Sequence, residues 1–404
     1  MKKLLCIVMI IMSSQHAYST TNDSLFNEIC FLVENNFYDS SFKGIDWPAL
    51  KQKYKKRVTS TTTYSSFAAI VNEMLAGLNA SHTNYYTSDD QSYYYLADIF
   101  KEMPFLKPAI CRIFPQCEVK FTDIGIITQK IGNDFFVKAI LDSSPAGQAG
   151  ILIGDKIISV DNVPFKPVSV FKGKAGADVT ITIQRTADKS SIQKFIVKPQ
   201  EYIPNQMFEN AIRKSARIIP YKGVDVGYIH IWSFAGENYY ETLKEVVSTQ
   251  LQSAKALVFD LRFGPGGANP DYLNFFNDRV PVIKQLQRDG QEWTFDPQWR
   301  KPVVLLINED TRSGKEIFAY GFKKYHYGTI VGTRTEGAVL GARPHFLSDG
   351  SMLYLAAIRC LVDGENLEGK GVMPDIEVQQ NLQYCSGKDA QMDKAVEIAA
   401  KEIK

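Results

Sequence analysis

Four short apolar runs in the second half of the chain, at 226–231, 256–261, 303–307 and 329–331, most constrain what it can fold into. Runs of this length with little polar alternation suit strands covered on both faces rather than one solvated face. Helical stretches separate them, and strand–helix alternation predicts an α/β arrangement with helices packed on a sheet. A chain of 404 residues has room for two to four such units, at about 100–200 residues per domain.

The preceding segments read differently. From 118 to 202 the chain carries short β-like runs at 125–127, 135–137, 156–160 and 179–183, separated by Gly, Asn and Asp turns. From 21 to 87 the pattern is helical: Phe67, Ile70, Val71, Met74, Leu75 and Leu78 recur on one helix face, with Ser65 or Ser66 as the expected N-cap. An earlier helix is predicted from Phe26, Ile29, Val33 and Phe37. Residues 88–117 are rich in Tyr, Phe and Pro and read as an irregular insert, suited to a lid or a dimer contact. The expected divisions are therefore 1–19, 20–117, 118–202 and 203–404.

The first division reads as a signal peptide. Two lysines precede nine apolar residues, Leu4 to Met12, and then Ala17-Tyr18-Ser19. Nine residues are too few to span a bilayer as a helix, and small residues suit cleavage after Ser19. Export to the periplasm or the medium is the expectation, without stable membrane insertion. Such a compartment permits disulfides, and of the cysteines left after Cys6 is removed, Cys111 and Cys117 are the expected pair. Cys30 lies on the apolar helix face, as a buried thiol would. No Cys/His cluster has zinc spacing, so no metal site is expected. With 46 Lys+Arg against 44 Asp+Glu, no basic field argues for nucleic acid.

Chemistry concentrates in two places in the last division. The run 256–261 passes through Asp260-Leu261-Arg262 into Phe263-Gly264-Pro265-Gly266-Gly267, a loop whose backbone N–H groups a substrate oxygen can approach closely. Neither phosphate-loop pattern fits it. The run 303–307 leads into Thr311-Arg312-Ser313-Gly314-Lys315-Glu316, where Ser313 falls at the junction of strand, turn and helix. That position suits an N-cap, and it equally suits an exposed nucleophile beside the positive end of a helix dipole.

Two resemblances decide between these readings. Ser144-Pro145-Ala146-Gly147-Gln148-Ala149-Gly150, followed by Gly154-Asp155 and Ile157-Ile158-Ser159-Val160, resembles the PDZ domains of bacterial proteases. PDZ folds add an extended peptide to a sheet edge and capture its terminal carboxylate with backbone amides. By its order in the chain, Asp123-Ile124-Gly125-Ile126 falls where the carboxylate-binding loop would be. The second resemblance is longer. Asp-Leu-Arg-x-x-x-Gly-Gly from Asp260, Ser-x-x-Glu-Ile-Phe-Ala from Ser313, Val331 to Gly337, Leu347 to Gly350, and Glu368 to Ile376 occur in that order. The series resembles the carboxyl-terminal processing (tail-specific) serine protease family, which includes the tricorn core protease. It implies an α/β protease core, ClpP/crotonase-like, with an N-terminal helical domain and an inserted PDZ-like β-rich domain.

The resemblance also implies the nucleophile, Ser313, and raises the matter of its base. In the bacterial processing branch a lysine follows a Thr-x-Gly turn. Here Thr335-Glu336-Gly337 is followed by Ala338, which rules out that dyad. Ser81-His82 resembles the tricorn-type branch, whose Ser-His-Ser-Glu constellation takes its histidine from the N-terminal region. Imidazole suits the role, because it can accept the serine proton and return it to the leaving amine. Glu368 matches the glutamate of that constellation, bridged to His82 through Ser81. Gly266 and Gly314 are the expected oxyanion donors, since Pro265 has no N–H. Lys315 is expected to point along its helix and not to serve as base.

The expected activity is hydrolysis of peptide bonds in unfolded or tail-exposed polypeptides, with no cofactor. Recognition of substrates by their C-terminus, and oligomerisation, are compatible with the sequence. An inactive pseudo-protease that binds peptides is the competing reading, motivated by the missing lysine. Hydrolysis of a nonpeptide ester or amide is a third.

Overall fold

The computed structural model describes residues 21–403 apart from 62, 268 and 278, so the expected signal peptide at 1–19 lies outside the described residues. A six-stranded sheet organises the second half of the chain. Its spatial order is Arg217–Tyr221, Val224–His230, Ala256–Asp260, Val303–Ile307, Thr329–Gly332 and Ile376–Glu377. Only the first pair is antiparallel.

Alternation within each apolar run sorts side chains to two faces. Leu257, Phe259, Val303, Leu305 and Ile307 share one core with helices Pro204–Ser215, Glu237–Thr249 and Gly314–Lys324. Ala256, Val258, Val304 and Leu306 turn the other way, onto Ala395, Val396 and Ala399 of helix Ala390–Lys401. Both faces are covered, which is why these strands read as continuous apolar runs.

Three N-terminal helices, Asn22–Asn36, Trp47–Thr59 and Tyr64–Ala76, begin at caps Thr21, Asp46 and Thr63, whose side chains each accept a backbone N–H. The third cap falls at Thr63 rather than Ser65 or Ser66: the Thr63 hydroxyl accepts from Ser66 N at 3.2 Å. These helices do not close a core by themselves. Phe26, Val33, Phe67 and Val71 share one with Leu347, Leu353 and Leu355. The last three belong to the hairpin of Gly341–Phe346 and Met352–Ile358, on which Asn84–Tyr86 lies as a third strand. Chain ends far apart in sequence are thus one hydrophobic unit, and a boundary at 117 cuts through contacts that only the tertiary fold makes.

Residues 88–117 are not irregular. They form helices Gln91–Ile99 and Lys107–Ile113, and Cys111 is bonded to Cys117. Tyr93, Tyr94 and Phe114 stack among themselves and against Phe346 and Phe121. A run of three tyrosines at 93–95 hides the helical period, because Tyr93 and Tyr95 are buried in two different cores and Tyr94 packs against both.

The segment 121–202 forms its own antiparallel sheet of Ile126–Ile131, Asp134–Ile140, Lys156–Val160, Val179–Gln184 and Ile192–Val197. Phe121–Asp123 pairs with Gln200–Tyr202, so entry and exit lie side by side, as an insertion into a continuous fold requires. Helix Pro145–Ala149 starts at Ser144 and ends at Gly150, whose φ of 88° is the left-handed close of a short helix. Residues of the C-terminal segment dock on this sheet: Tyr384 N donates to Gly154 O at 3.0 Å and its ring meets Phe136 edge-on.

Candidate active site

Ser313 sits where Val303–Ile307 ends and helix Gly314–Lys324 begins. Its φ of 57° and ψ of −131° are a conformation that side chains other than glycine rarely adopt. Its N–H donates to Ala338 O at 3.0 Å and to Glu316 Oε2 at 3.3 Å, which hold the turn in place. Glu316 does more than this. Its carboxylate also accepts from the Thr335 hydroxyl and from the N–H groups of Gly337 and Ala338, each at 2.6 Å. Burial raises the Glu316 carboxyl above its ordinary range despite these bonds. The loop at 335–338 is thereby clamped to the first turn of the helix.

The Gly/Pro loop lies against Ser313. A Cβ on Gly266 would stand 2.6 Å from Ser313 Cβ and 3.2 Å from Gly314 N, so only glycine lets the two backbones approach this closely. Gly266 O accepts from Phe234 N at 2.8 Å. Below the loop, Arg262 binds Asp260 through Nε and Nη2, at 3.0 and 2.7 Å, and Asp389 at 2.8 Å. Although burial alone would raise the carboxyl of Asp260, Arg262 and His230 hold it down at about 2. These residues brace the loop from below.

Lys315 differs from expectation. It is fully buried and turns into the core, where Nζ donates to Trp232 O at 3.0 Å and Phe263 O at 2.5 Å. Burial pulls its ammonium down to about 7. The reason lies in helical spacing: Lys315, Phe318, Ala319 and Phe322 form one buried stripe at i, i+3, i+4 and i+7.

His82 and Ser313 line the same cavity, of about 500 Å³. Gly264, Pro265, Gly266 and Gly267 form one side of it, and Tyr95, Leu96, Ile99 and Phe100 another. The aromatic insert therefore walls the cleft through its first helix. Lys138, from the 121–202 sheet, also reaches the cavity and pairs with Asp310. Among the four histidines after residue 20, His82 is the one that lines this cavity. His230 is stacked on Trp232 at 3.8 Å and bonded to Arg262 O at 2.7 Å.

Ser81 N and Oγ both donate to Glu368, at 2.8 Å each, and Glu368 also accepts from Val339 N at 3.0 Å. The expected bridge is thus present between Glu368 and Ser81. It stops there: His82 Nδ1 accepts instead from Arg312 Nη2 at 3.1 Å, a partner that sequence reasoning did not single out. Burial first, and the Arg312 charge second, pull the His82 imidazole down to about 3. Arg312 is itself paired with Glu336, Nε to Oε2, at 3.2 Å. At the position of the missing family lysine, Ala338 is fully buried and contributes only its carbonyl and N–H.

Of the four residues proposed for carboxylate binding, the N–H groups of Gly125 and Ile126 already donate to Asp123 Oδ1, at 2.5 and 3.2 Å. Ile124 O is taken by Ala146 N at 2.9 Å. A peptide carboxylate would have to displace that of Asp123, whose burial raises it to about 6. Asp123 competes with the ligand that this stretch was expected to hold.

A strained serine at a strand–helix junction, a glycine loop packed on it and a histidine in the same cleft form a layout suited to a serine nucleophile. Residues 225–378 match the description Peptidase family S41, and residues 19–76 match Tricorn protease C1 domain. A "Probable CtpA-like serine protease" of Staphylococcus epidermidis is 28% identical over 275 residues, 64% of this chain and 53% of that one. The chain thus spans about half the length of that relative. A "Carboxyl-terminal-processing protease" of Synechocystis is 24% identical over 388 residues, 91% of this chain and 84% of that protein. Among solved structures, the tricorn protease shares the fold with a TM-score of 0.56 at 21% identity, covering 95% of this chain and 37% of that one.

Two contributors, Glu316 and Arg312, stand in the quoted motifs without a role assigned to them. Glu316 was visible as the fourth residue of a Ser-x-x-Glu capping pattern. Arg312 had no such signal, because its partner lies 230 residues away.

Proposed function

We propose that this chain is an exported serine endopeptidase acting on unfolded or tail-exposed polypeptides. The observation that carries the reading is the convergence of Ser313, His82 and Gly266 on one cleft. Ser313 attacks the scissile carbonyl and His82 takes its proton. The N–H groups of Gly266 and Gly314 hold the oxyanion, and His82 returns the proton to the leaving amine before water hydrolyses the acyl-enzyme. Glu368, through Ser81, fixes the turn that carries His82. The cleft wall of Tyr95, Leu96, Ile99 and Phe100 offers apolar surface to substrate side chains.

The β-rich unit at 121–202 is read as PDZ-like, a recruiter of extended peptides, on its order of strands and the short helix ending at Gly150. The core is read as ClpP/crotonase-like. Export rests on the apolar run at 4–12 and on the Cys111–Cys117 bond, which an oxidising compartment permits.

Incubation of the mature chain with casein, beside Ser313→Ala and His82→Ala, tests the reading. Cleavage by the wild type that is lost in both variants is expected. Cleavage surviving His82→Ala but not Ser313→Ala would remove His82 as base. No cleavage, together with no labelling by a fluorophosphonate, would leave a peptide-binding pseudo-protease.

A further inference from the structure

A neutral imidazole has one lone pair, and a guanidinium has none to offer. The Arg312–His82 bond therefore has a single reading: Arg312 Nη2 donates and His82 Nδ1 accepts. The ring proton then sits on Nε2, and the lone pair that a general base needs is already occupied. While this bond lasts, neither nitrogen of His82 can take a proton from Ser313. The contact works against catalysis a second way, since a fixed positive charge at 3.1 Å opposes formation of the imidazolium.

Arg312 has other places to go. Glu336 already holds its Nε at 3.2 Å. Asp310, two residues earlier and in the same cavity, binds Lys138 through Oδ1 while its Oδ2 is buried with no hydrogen-bond partner among the described residues. A buried carboxylate oxygen without a partner is costly, and a guanidinium is the group that satisfies it best. The cleft thus contains a cation on the histidine and, in the same cavity, a carboxylate with one oxygen still open to a second donor.

We propose that Arg312 is a positioning residue that withholds the histidine base: its guanidinium occupies the His82 lone pair in the resting enzyme, and turnover requires its transfer to the carboxylates of Asp310 and Glu336. The proposal rests on His82 being the base. The charged and titratable groups that share the cavity with His82 are Arg312 and Asp310 from the turn before Ser313, Lys138 from the 121–202 sheet, Tyr86, Tyr95 from the helix Gln91–Ile99, and Tyr354, whose ring lies 5.5 Å from the imidazole. Glu336 reaches it through Arg312, and Glu368 through the neighbouring Ser81.

The test measures the rate of fluorophosphonate labelling of Ser313 against pH in the wild type, Arg312→Gln, Arg312→Lys and Asp310→Asn. Labelling needs an activated serine but no peptide, so it reads the base directly. Arg312→Gln is expected to label roughly tenfold faster near neutral pH, with the acid limb moved to higher pH, because each pKa unit relieved on His82 is worth about that factor. Arg312→Lys, which retains a cation without the fork, should fall between the two. Asp310→Asn, which removes the receiving charge, should label more slowly than wild type. An Arg312→Gln enzyme that labels more slowly with an unmoved acid limb, while its thermal unfolding is unchanged, would overturn the proposal and make Arg312 a mere brace. Absence of labelling in the wild type and in every variant would instead defeat the serine peptidase reading on which the proposal stands.

Discussion

The carboxylate of Glu368 accepts both the backbone N–H and the hydroxyl of Ser81, at 2.8 Å each, across 287 residues of chain. The same carboxylate receives Val339 N, next to the Ala338 carbonyl that accepts from Ser313 N. One side chain therefore fastens the turn bearing His82 to the loop that fixes Ser313. Glu368→Gln preserves volume but gives up one acceptor oxygen and the charge. Losing charge-assisted bonds of about 1.5–3 kcal/mol predicts a fall in kcat of roughly tenfold or more with KM little changed. Steady-state kinetics on a fluorogenic peptide would check it, and an unaltered kcat would detach Glu368 from the mechanism.

Gly266→Ala places a Cβ 2.6 Å from that of Ser313, so loop or nucleophile must move. Loss of one oxyanion donor predicts kcat lowered about 10²–10³-fold. Thermal unfolding should change little by comparison, since the loop is held from below by Arg262 and Lys315. Activity near wild type would assign the oxyanion donor elsewhere.

Arg262→Met leaves Asp260 as a buried charge without its ion-pair partner. Breaking such a pair costs about 3–5 kcal/mol. Urea unfolding should report a loss in that range, with the midpoint lowered. A loss below about 1 kcal/mol would mean that Tyr228, whose hydroxyl donates to Asp260 at 3.0 Å, suffices to carry the carboxylate.

Burial holds His82 at about 3 and His230 at about 4, below the ordinary 6.5 of an imidazole. The unfolded chain therefore binds more protons than the folded one across this window. Stability attributable to these residues is present in full above about pH 6.5 and falls as pH drops toward 4 and then 3. The melting temperature should decline over that range, and His230→Phe should flatten the decline. An identical slope in the variant would assign the acid sensitivity to other groups.

How much of this could be read from the residues follows from the range of each interaction. Strand runs such as Ala256–Asp260 and Val303–Ile307 announce themselves because both faces are apolar, and Ser313 and Gly266 because a sharp turn admits few residue types. The inward turn of Lys315 was also legible, in the stripe it shares with Phe318 and Phe322, but a charged residue next to a nucleophile invites a different reading. The helices at 91–99 and 107–113 were missed because their aromatic residues pack on several neighbours and blur the period. Contacts such as Arg312 with His82, or Asp123 with the amides of Gly125 and Ile126, depend on backbone geometry or distant chain and left no pattern to find.

The supply of Ser81 and His82 from one end of the chain, and of Ser313 and Glu368 from the other, has a consequence in time. A ribosome that has released only the first two hundred residues has made the histidine but not its serine. The cleft that brings His82 to Ser313 is incomplete until the last quarter of the polypeptide emerges and the N-terminal helices close over the hairpin of Gly341–Phe346 and Met352–Ile358. Synthesis order alone thus separates the two halves of the site in time.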